Sequence, residues 1–473
     1  MRKTTQWLLT VLSVLLLVLV TAICLIPVLI EPNDYKTEIA AVIKNKTNRA
    51  VVFEGDIQAS VFPWLAISTE NIKVSNAPGF EALSFITVAK GDITLKWLPL
   101  LMRKVEINSV VLDNVTINLI KDKQGISNWG DLIAIDSASQ SNANLGDEQT
   151  NKPFTLATST VDSIVIQNAQ VNWNDLQTGK HLELKNIRFN ADDFRFGGPF
   201  KIDMAADFSG DAIKFPGTVK FITSLGVDEK LESFVFNGSQ IEWDGLQKMA
   251  SGQLSTAKIF VPNMEANLAR QTLKVTNLKL HYSGFRLMAD MEGEHILDKL
   301  VLQGSVIIPE FNPREIIKQW DADLLGMSDS KAMTNMGMSF HFLTDNTSVQ
   351  INDLGVVVDN SNGKGFLTIN DFSQPSFLFD LTVDTFDVDR YLSAQDKPAE
   401  TSGNLVSTGS FSPSLDWLKQ FDAEGKLALG QMTFNKLTMQ DMCLTLSTKK
   451  GVVKVGQQPM KNTTLKPNKI GSF

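Results

Sequence analysis

The sequence predicts a mainly β protein: one N-terminal transmembrane helix, then an elongated, repetitive, antiparallel β-sheet with a few short helices. Three observations predict it. The chain opens with a long run that carries no charge, Trp7 to Ile30. From Val51 onward, apolar and polar residues alternate in segments bounded by Gly, Asn, Asp or Pro. That alternation gives each strand one buried and one wet face, as antiparallel sheets allow. Helix-period stretches are short, and no helix recurs between strands as a parallel βαβ sheet requires.

The bulk numbers suit such a body. At 473 residues the chain exceeds one ordinary core, so several domains or a repeat array are expected. It is 43% hydrophobic and 20% charged, with a net charge of −8 and acids and bases interspersed. No basic stretch stands out to neutralise phosphates, which argues against nucleic acid as a partner. The two cysteines, Cys24 and Cys443, are badly placed for a disulfide because Cys24 lies within the apolar run.

Taken in order, Trp7–Ile30 would span roughly 36 Å as a helix, enough to cross a ~30 Å hydrocarbon core. Arg2 and Lys3 precede it, and the first charges after it are Glu31 and Asp34. The positive-inside rule places the N-terminus in the cytoplasm and the remainder across the membrane. A cleaved signal peptide fits less well, because its apolar region is shorter and Ile23 stands where a small residue is wanted. Ile23 also argues against lipidation at Cys24.

Pro32-Asn33-Asp34 reads as a helix start, and Tyr35, Ile39, Val42 and Ile43 follow at helical spacing, fading by Asn48. Strands follow. Val115, Ile117 and Leu119 alternate with Thr116 and Asn118; Ile164 and Ile166 precede a turn at Asn168, with Val171 and Trp173 after it. Leu278, Leu280 and Tyr282 repeat the pattern, as do Phe377, Phe379, Leu381 and Val383, and later Leu444 and Leu446. Short helices are expected at Pro313–Trp320, Val388–Leu392 and Pro413–Phe421. The polar stretch 136–153 reads as a flexible linker. The expected domains are therefore an anchor at 1–30, a helix-plus-strands module at 31–135, the linker, a repetitive β-rich body at 154–455 and a polar tail at 456–473.

A search for reactive groups returns little. His181, His281, His295 and His341 are scattered, and HExxH, CxxC, GxSxG and a phosphate-binding loop are all absent from the sequence. Asp192-Asp193 reads as solvated surface, and Asp384, Asp387 and Asp389 as turn and cap residues, not a calcium loop. No enzyme, cofactor or metal is expected. By itself, an apolar sheet face is more often a closed core than a groove.

A set of short motifs changes that expectation. They run Pro32-Asn33-Asp34-Tyr35-Lys36, Thr47-Asn48-Arg49, Phe53-Glu54-Gly55-Asp56-Ile57, Phe62-Pro63-Trp64-Leu65, Asn76-Ala77-Pro78-Gly79-Phe80, Leu98-Pro99-Leu100-Leu101 and Gly125-Ile126-Ser127-Asn128-Trp129. In that order and spacing they resemble the N-terminal signature of the AsmA family. Asn168-Ala169, Val171, Trp173, Asp175 and Gly179 resemble its second block, and Phe386–Leu392 and 421–453 its later segments. The resemblance runs to about residue 455.

The resemblance implies an inner-membrane protein of Gram-negative bacteria, its body in the periplasm, similar to bridge-like lipid-transfer proteins. It implies a chorein-like N-terminal module opening an apolar β-groove, phospholipid and the inner membrane as partners, and outer-membrane components as further ones. On that reading Ile57, Ala59, Val61, Val115, Ile117 and Leu119 are candidate groove walls. Phe62, Pro63, Trp64 and Leu65 would guide lipid in at the interface. The alternative function is a scaffold, with a closed core, that influences outer-membrane protein assembly. The tail 456–473 does not resemble the family's continuation, so a truncated or frameshifted product is expected.

Overall fold

A computed structural model of the chain describes residues 31–60, 65–80, 83–96, 98–99, 104–132, 155–195, 197–211, 213, 215–248, 254–320, 329–392, 422–449 and 452–459. The expected anchor, the linker 136–153, the helix Pro413–Phe421 and residues Val61, Phe62, Pro63 and Trp64 lie outside the described residues. Among the described residues no helix is long and apolar enough to cross a membrane. The chain is mainly β and divides into two compact units, Met1–Glu229 and Lys230–Phe473.

In the first unit a 3-10 turn, Pro32–Tyr35, leads into α1 (Lys36–Thr47). The helix stops because Asn48 adopts the left-handed conformation, which asparagine tolerates, and its N–H bonds the Lys44 carbonyl. Nine strands follow: β1 (Val51–Phe53), β2 (Gln58–Ser60), β3 (Leu65–Val74), β4 (Ile86–Leu95), β5 (Lys104–Lys121), β6 (Thr155–Asp175), β7 (Lys180–Phe194), β8 (Pro199–Gly210) and β9 (Gly217–Val227). Strands β1 and β2 pair with opposite halves of β3, and β3 to β9 follow one another side by side.

The second unit continues with β10 (Ser233–Lys248), β11 (Leu254–Asn267), β12 (Thr272–Tyr282), β13 (Phe285–Glu294) and β14 (Val301–Phe311). Helix α2 (Pro313–Trp320) follows. Then come β15 (Met336–Thr344), β16 (Ser348–Val358), β17 (Ser361–Asn370), β18 (Ser376–Asp387), β19 (Asp422–Phe434), β20 (Leu437–Lys449) and β21 (Val452–Pro459). The expected helix at 388–392 is a single 3-10 turn, Val388–Arg390, capped by the Asp387 side chain.

One expectation needs correction, and two further findings stand beside it. The sheet is mixed: β5 pairs with β6, and β18 with β19, in parallel. Parallel neighbours need a crossover long enough to return along the strand, not a helix; residues 122–154 and 388–421 supply that length. The polar stretch 136–153 thus connects two neighbouring strands of one sheet, and the compact units divide at 229/230. Finally, 456–459 is not tail but strand, pairing with Met442–Thr445.

Asparagines with positive φ interrupt several strands at matching levels: Asn71 in β3 and, across β4, Asn114 in β5, then Asn168 in β6, with Asn186 close by in β7. Such residues bend and twist a strand. They also break the period of two: Leu112 and Val115 pack in one apolar cluster, as do Ile166 and Ala169.

Candidate functional site

Register turns these strands into rows. In the second unit Phe236, Met264, Val275, Met291, Gly304, Phe342, Ile351, Leu367, Phe379, Gly425 and Leu446 are successive partners across β10 to β20. No polar or charged side chain interrupts them. A neighbouring row runs Phe234, Ala266, Leu273, Gly293, Leu302, Thr344, Val349, Ile369, Phe377, Ala423 and Thr448. Between them, on the opposite face, runs a mostly polar row, Val235, Glu265, Lys274, Glu292, Gln303, Leu343, Gln350, Thr368, Leu378 and Glu424, in which Gln350 and Thr368 are buried.

The first unit repeats the design. Val51, Val74, Ile86, Ile117, Val171, Leu184 and Phe208 form one row across β1 and β3 to β8. Beyond the asparagine bends, Leu112, Ile166, Phe189, Met204 and Phe221 form another. Stepping one residue along β5 from Ile117 reaches Thr116, beside Thr87 and Gln170, on the polar side.

Val51, Val275, Ala423 and Thr448 of these rows are buried, but most of the rows' side chains keep some exposure. Phe236, Met264, Met291, Phe342, Ile351, Leu367, Phe379 and Leu446 are half-buried, as are Ile117, Val171, Leu184 and Phe208. Val275 is buried, and the first unit has a buried nucleus of Val88, Val115 and Ala169. Glycine serves width here: at Gly425 a Cβ would run into the Phe379 ring lying across it.

Of the candidate groove residues, Ile117 and Leu119 stand half-buried on the apolar face of β5, Leu119 beside Trp173. Val115 lies on the same face but is 6% exposed within the nucleus. Ala59 pairs with Ile67, and Leu65 with Leu95. Ile57 is 6% exposed and is held by Asn33, whose amide binds both its N–H (2.9 Å) and its carbonyl (3.4 Å). It therefore joins the helix to the sheet. The rows of the second unit are absent from the candidates, although the alternation Phe377–Val383 signals one strand of them.

The signature motifs converge on a buried polar knot. Arg49 is 1% exposed; its Nη2 donates to the Asn128 carbonyl (2.8 Å) and to Asp131 Oδ1 (2.6 Å), and its guanidinium lies over the Phe85 ring. Asn128, fully buried, accepts from the Ile120 N–H and donates to Asn76 Oδ1 (2.9 Å) and the Asn118 carbonyl (2.8 Å). Asn76 donates to the Leu83 carbonyl, and Asn118 to that of Ser84. In the second block, Asp175 accepts from Gln177 and Thr178 in the β6–β7 turn. Burial opposes its ionisation, but those hydrogen bonds and Lys121 keep its carboxyl below the ordinary range. All of this is architecture: the motif side chains fasten the helix end, the β3–β4 turn and the loop after β5.

A family model for AsmA matches residues 1–458. The chain belongs to the AsmA family. Among curated proteins, none matches it. The AsmA match spans both units and reaches β21, beyond the residue 455 at which the motif resemblance stops.

In the second unit of this AsmA-family chain, Asp359 closes a second polar clasp. Its side chain, 3% exposed, accepts from the N–H groups of Met333, Thr334 and Asn335 and from the Tyr391 hydroxyl (2.8 Å). Arg390 bridges Asp329 (2.8 Å) and Asp359 (3.6 Å). Burial works against the Asp359 carboxylate, yet these donors hold its pKa below the usual 3.8. Burial, then the hydrogen bond to Asp359 and its charge, push Tyr391 up to about 12. A depressed carboxyl stabilises above its unfolded pKa of about 4 and is lost below it; a raised phenol stabilises below about 10 and is lost above. Urea midpoints are therefore expected to be flat between these limits and to fall on both sides. In Tyr391→Phe the alkaline fall should shrink; an unchanged alkaline limb would contradict the assignment.

Among the described residues no group of three or more His, Cys, Asp or Glu is placed to hold a metal ion.

Proposed function

We propose that this protein handles phospholipid along its apolar sheet face and contributes to lipid movement from the inner toward the outer membrane. In this reading Trp7–Ile30 anchors it in the inner membrane of a Gram-negative bacterium, and the body stands in the periplasm. The observation that carries the reading is the unbroken apolar row in each unit, most of its side chains only half-buried, backed by a mostly polar opposite face.

The energetics agree. Each methylene exposed to water costs ~0.8 kcal/mol, so a diacyl lipid crosses an aqueous gap only with its tails shielded. A sheet with one greasy and one wet face shields tails and leaves the headgroup in solvent. Met264 and Met291, flexible and polarizable, suit chains of varied length and unsaturation. No bond is made or broken, so the function needs no catalytic group.

The test is photocrosslinking in living cells, with a photoreactive residue at Ile117 and at Phe342, and mass analysis for attached lipid. Thr116 is the control; Asn118 is unsuitable because it bonds Ser84 and Asn172. Phospholipid adducts are expected at both inward positions and none at Thr116. Their absence from both, in well-expressed protein, overturns the reading in favour of a scaffold with a closed face.

A further inference from the structure

We propose that α1 is a membrane-surface element whose exposed stripe, Tyr35, Ile39 and Val42, lies in the interface of the bilayer that Trp7–Ile30 enters. The proposal rests on the anchoring reading above and names phospholipid as what covers this stripe.

Tyr35, Ile39 and Val42 are 51%, 41% and 56% exposed. Tyr35 already has helical φ and ψ, so at about 100° per residue the three side chains fall within an arc of about 60°. The adjoining flank, about 100° away, is occupied: Lys36, Ala40, Ile43 and Thr47 are half-buried, and α1 packs on β1. Tyr35 at the helix N-cap and Ile39 and Val42 within the twelve-residue helix line up as apolar groups that an interface can accept, with tyrosine favoured at headgroup depth.

Position supplies the partner. From Ile30 to Tyr35 the chain can reach at most about 17 Å, at ~3.4 Å per residue. The stripe therefore begins beside the end of the apolar run. Three side chains are too few to hold a free helix on a bilayer, but a tether this short makes the contact intramolecular and raises its effective concentration.

The helix is also fixed to the body at both ends. Asn33 grips the Ile57 backbone, and Lys36 pairs with Asp56 (3.3 Å) at one end. Thr47 and Arg49 tie the other end to the Asn128 knot. Seating the stripe on the bilayer would thus set the orientation of β1 and β3, where the apolar rows begin.

The experiment uses the full chain carrying Cys24→Ser and Cys443→Ala, reconstituted in phosphatidylethanolamine–phosphatidylglycerol vesicles. A nitroxide is placed through Val42→Cys, or through Thr37→Cys on an exposed position away from the stripe. Collisions with oxygen and with a water-soluble nickel chelate are compared. An oxygen-to-nickel ratio about threefold higher at residue 42 than at 37 is expected for a side chain immersed ~5–10 Å in the interface. Equal ratios in protein that floats with the vesicles overturn this surface alone. A label at 42 sheltered from both reagents overturns it in favour of a protein partner or a second copy. Failure to float overturns the anchoring and this surface together, while lipid adducts at Ile117 are scored independently.

Discussion

Asn128→Ala should lower the stability of the first unit by about 3 kcal/mol or more, because it strips three hydrogen bonds from a fully buried site. The Ile120 N–H, the Asn118 carbonyl and Asn76 Oδ1 would each lose a partner where water does not reach. Asn128→Asp keeps the shape and the acceptor but loses both donors, so it should be nearly as damaging. Against a total of ~5–15 kcal/mol for a typical domain, such a loss is large. Urea unfolding followed by circular dichroism measures it, as a lower midpoint at unchanged slope. A shift below about 0.5 kcal/mol, the range of ordinary surface substitutions, would show that the knot is not what joins the helix to the sheet.

Phe342→Asp tests the row instead of the fold. Phe342 is half-buried between Gly304 and Ile351, with Phe340 edge-on to it at 6.5 Å. A carboxylate there keeps some contact with water, so folding should survive. An acyl chain lying along the row would have to pass a charge, at a cost of several kcal/mol. Lipid adducts at Phe379 are expected to fall at least tenfold, the effect of ~1.4 kcal/mol, while those at Ile117 persist. Phe342→Leu, apolar and similar in reach, should leave both unchanged. Equal adducts at Phe379 in the Asp and Leu variants would mean that lipid does not move along this row.

The knot and the row also differ in how far the sequence discloses them. The strand character of the body is written in local alternation, and Phe377, Phe379, Leu381 and Val383 do share the apolar face, pairing with Ala423, Gly425, Leu427 and Leu429. The start and end of α1 follow from Pro32 and Asn48, and α2 from Pro313–Trp320, because capping is local. Asparagines within strand-like runs, a residue type depleted in strands, are the visible trace of the bends at Asn114 and Asn168.

Other features cannot be read locally. The motifs around Arg49, Asn76 and Asn128 stand out in the sequence, but their meeting in one buried site depends on contacts between residues up to 82 positions apart. The family resemblance offers Ile57 as a groove wall, but that Asn33 holds its backbone cannot be read locally, because only the fold brings Asn33 to it. Val115 shares a face with Ile117 yet is sealed in the nucleus, since burial depends on what the neighbouring strands contribute at that level.

By itself, then, the sequence determined the mainly β class of the fold, the positions of α1 and α2 and the family, because periodicity, capping residues and motif order are properties of the chain read along its length. The tertiary structure decided which strands are neighbours, including the two parallel pairs, and in what register. Register alone turns isolated alternations into apolar rows. Pairing is set by hydrogen bonds between distant segments, and a slip of one residue would send the same side chains to the wet face.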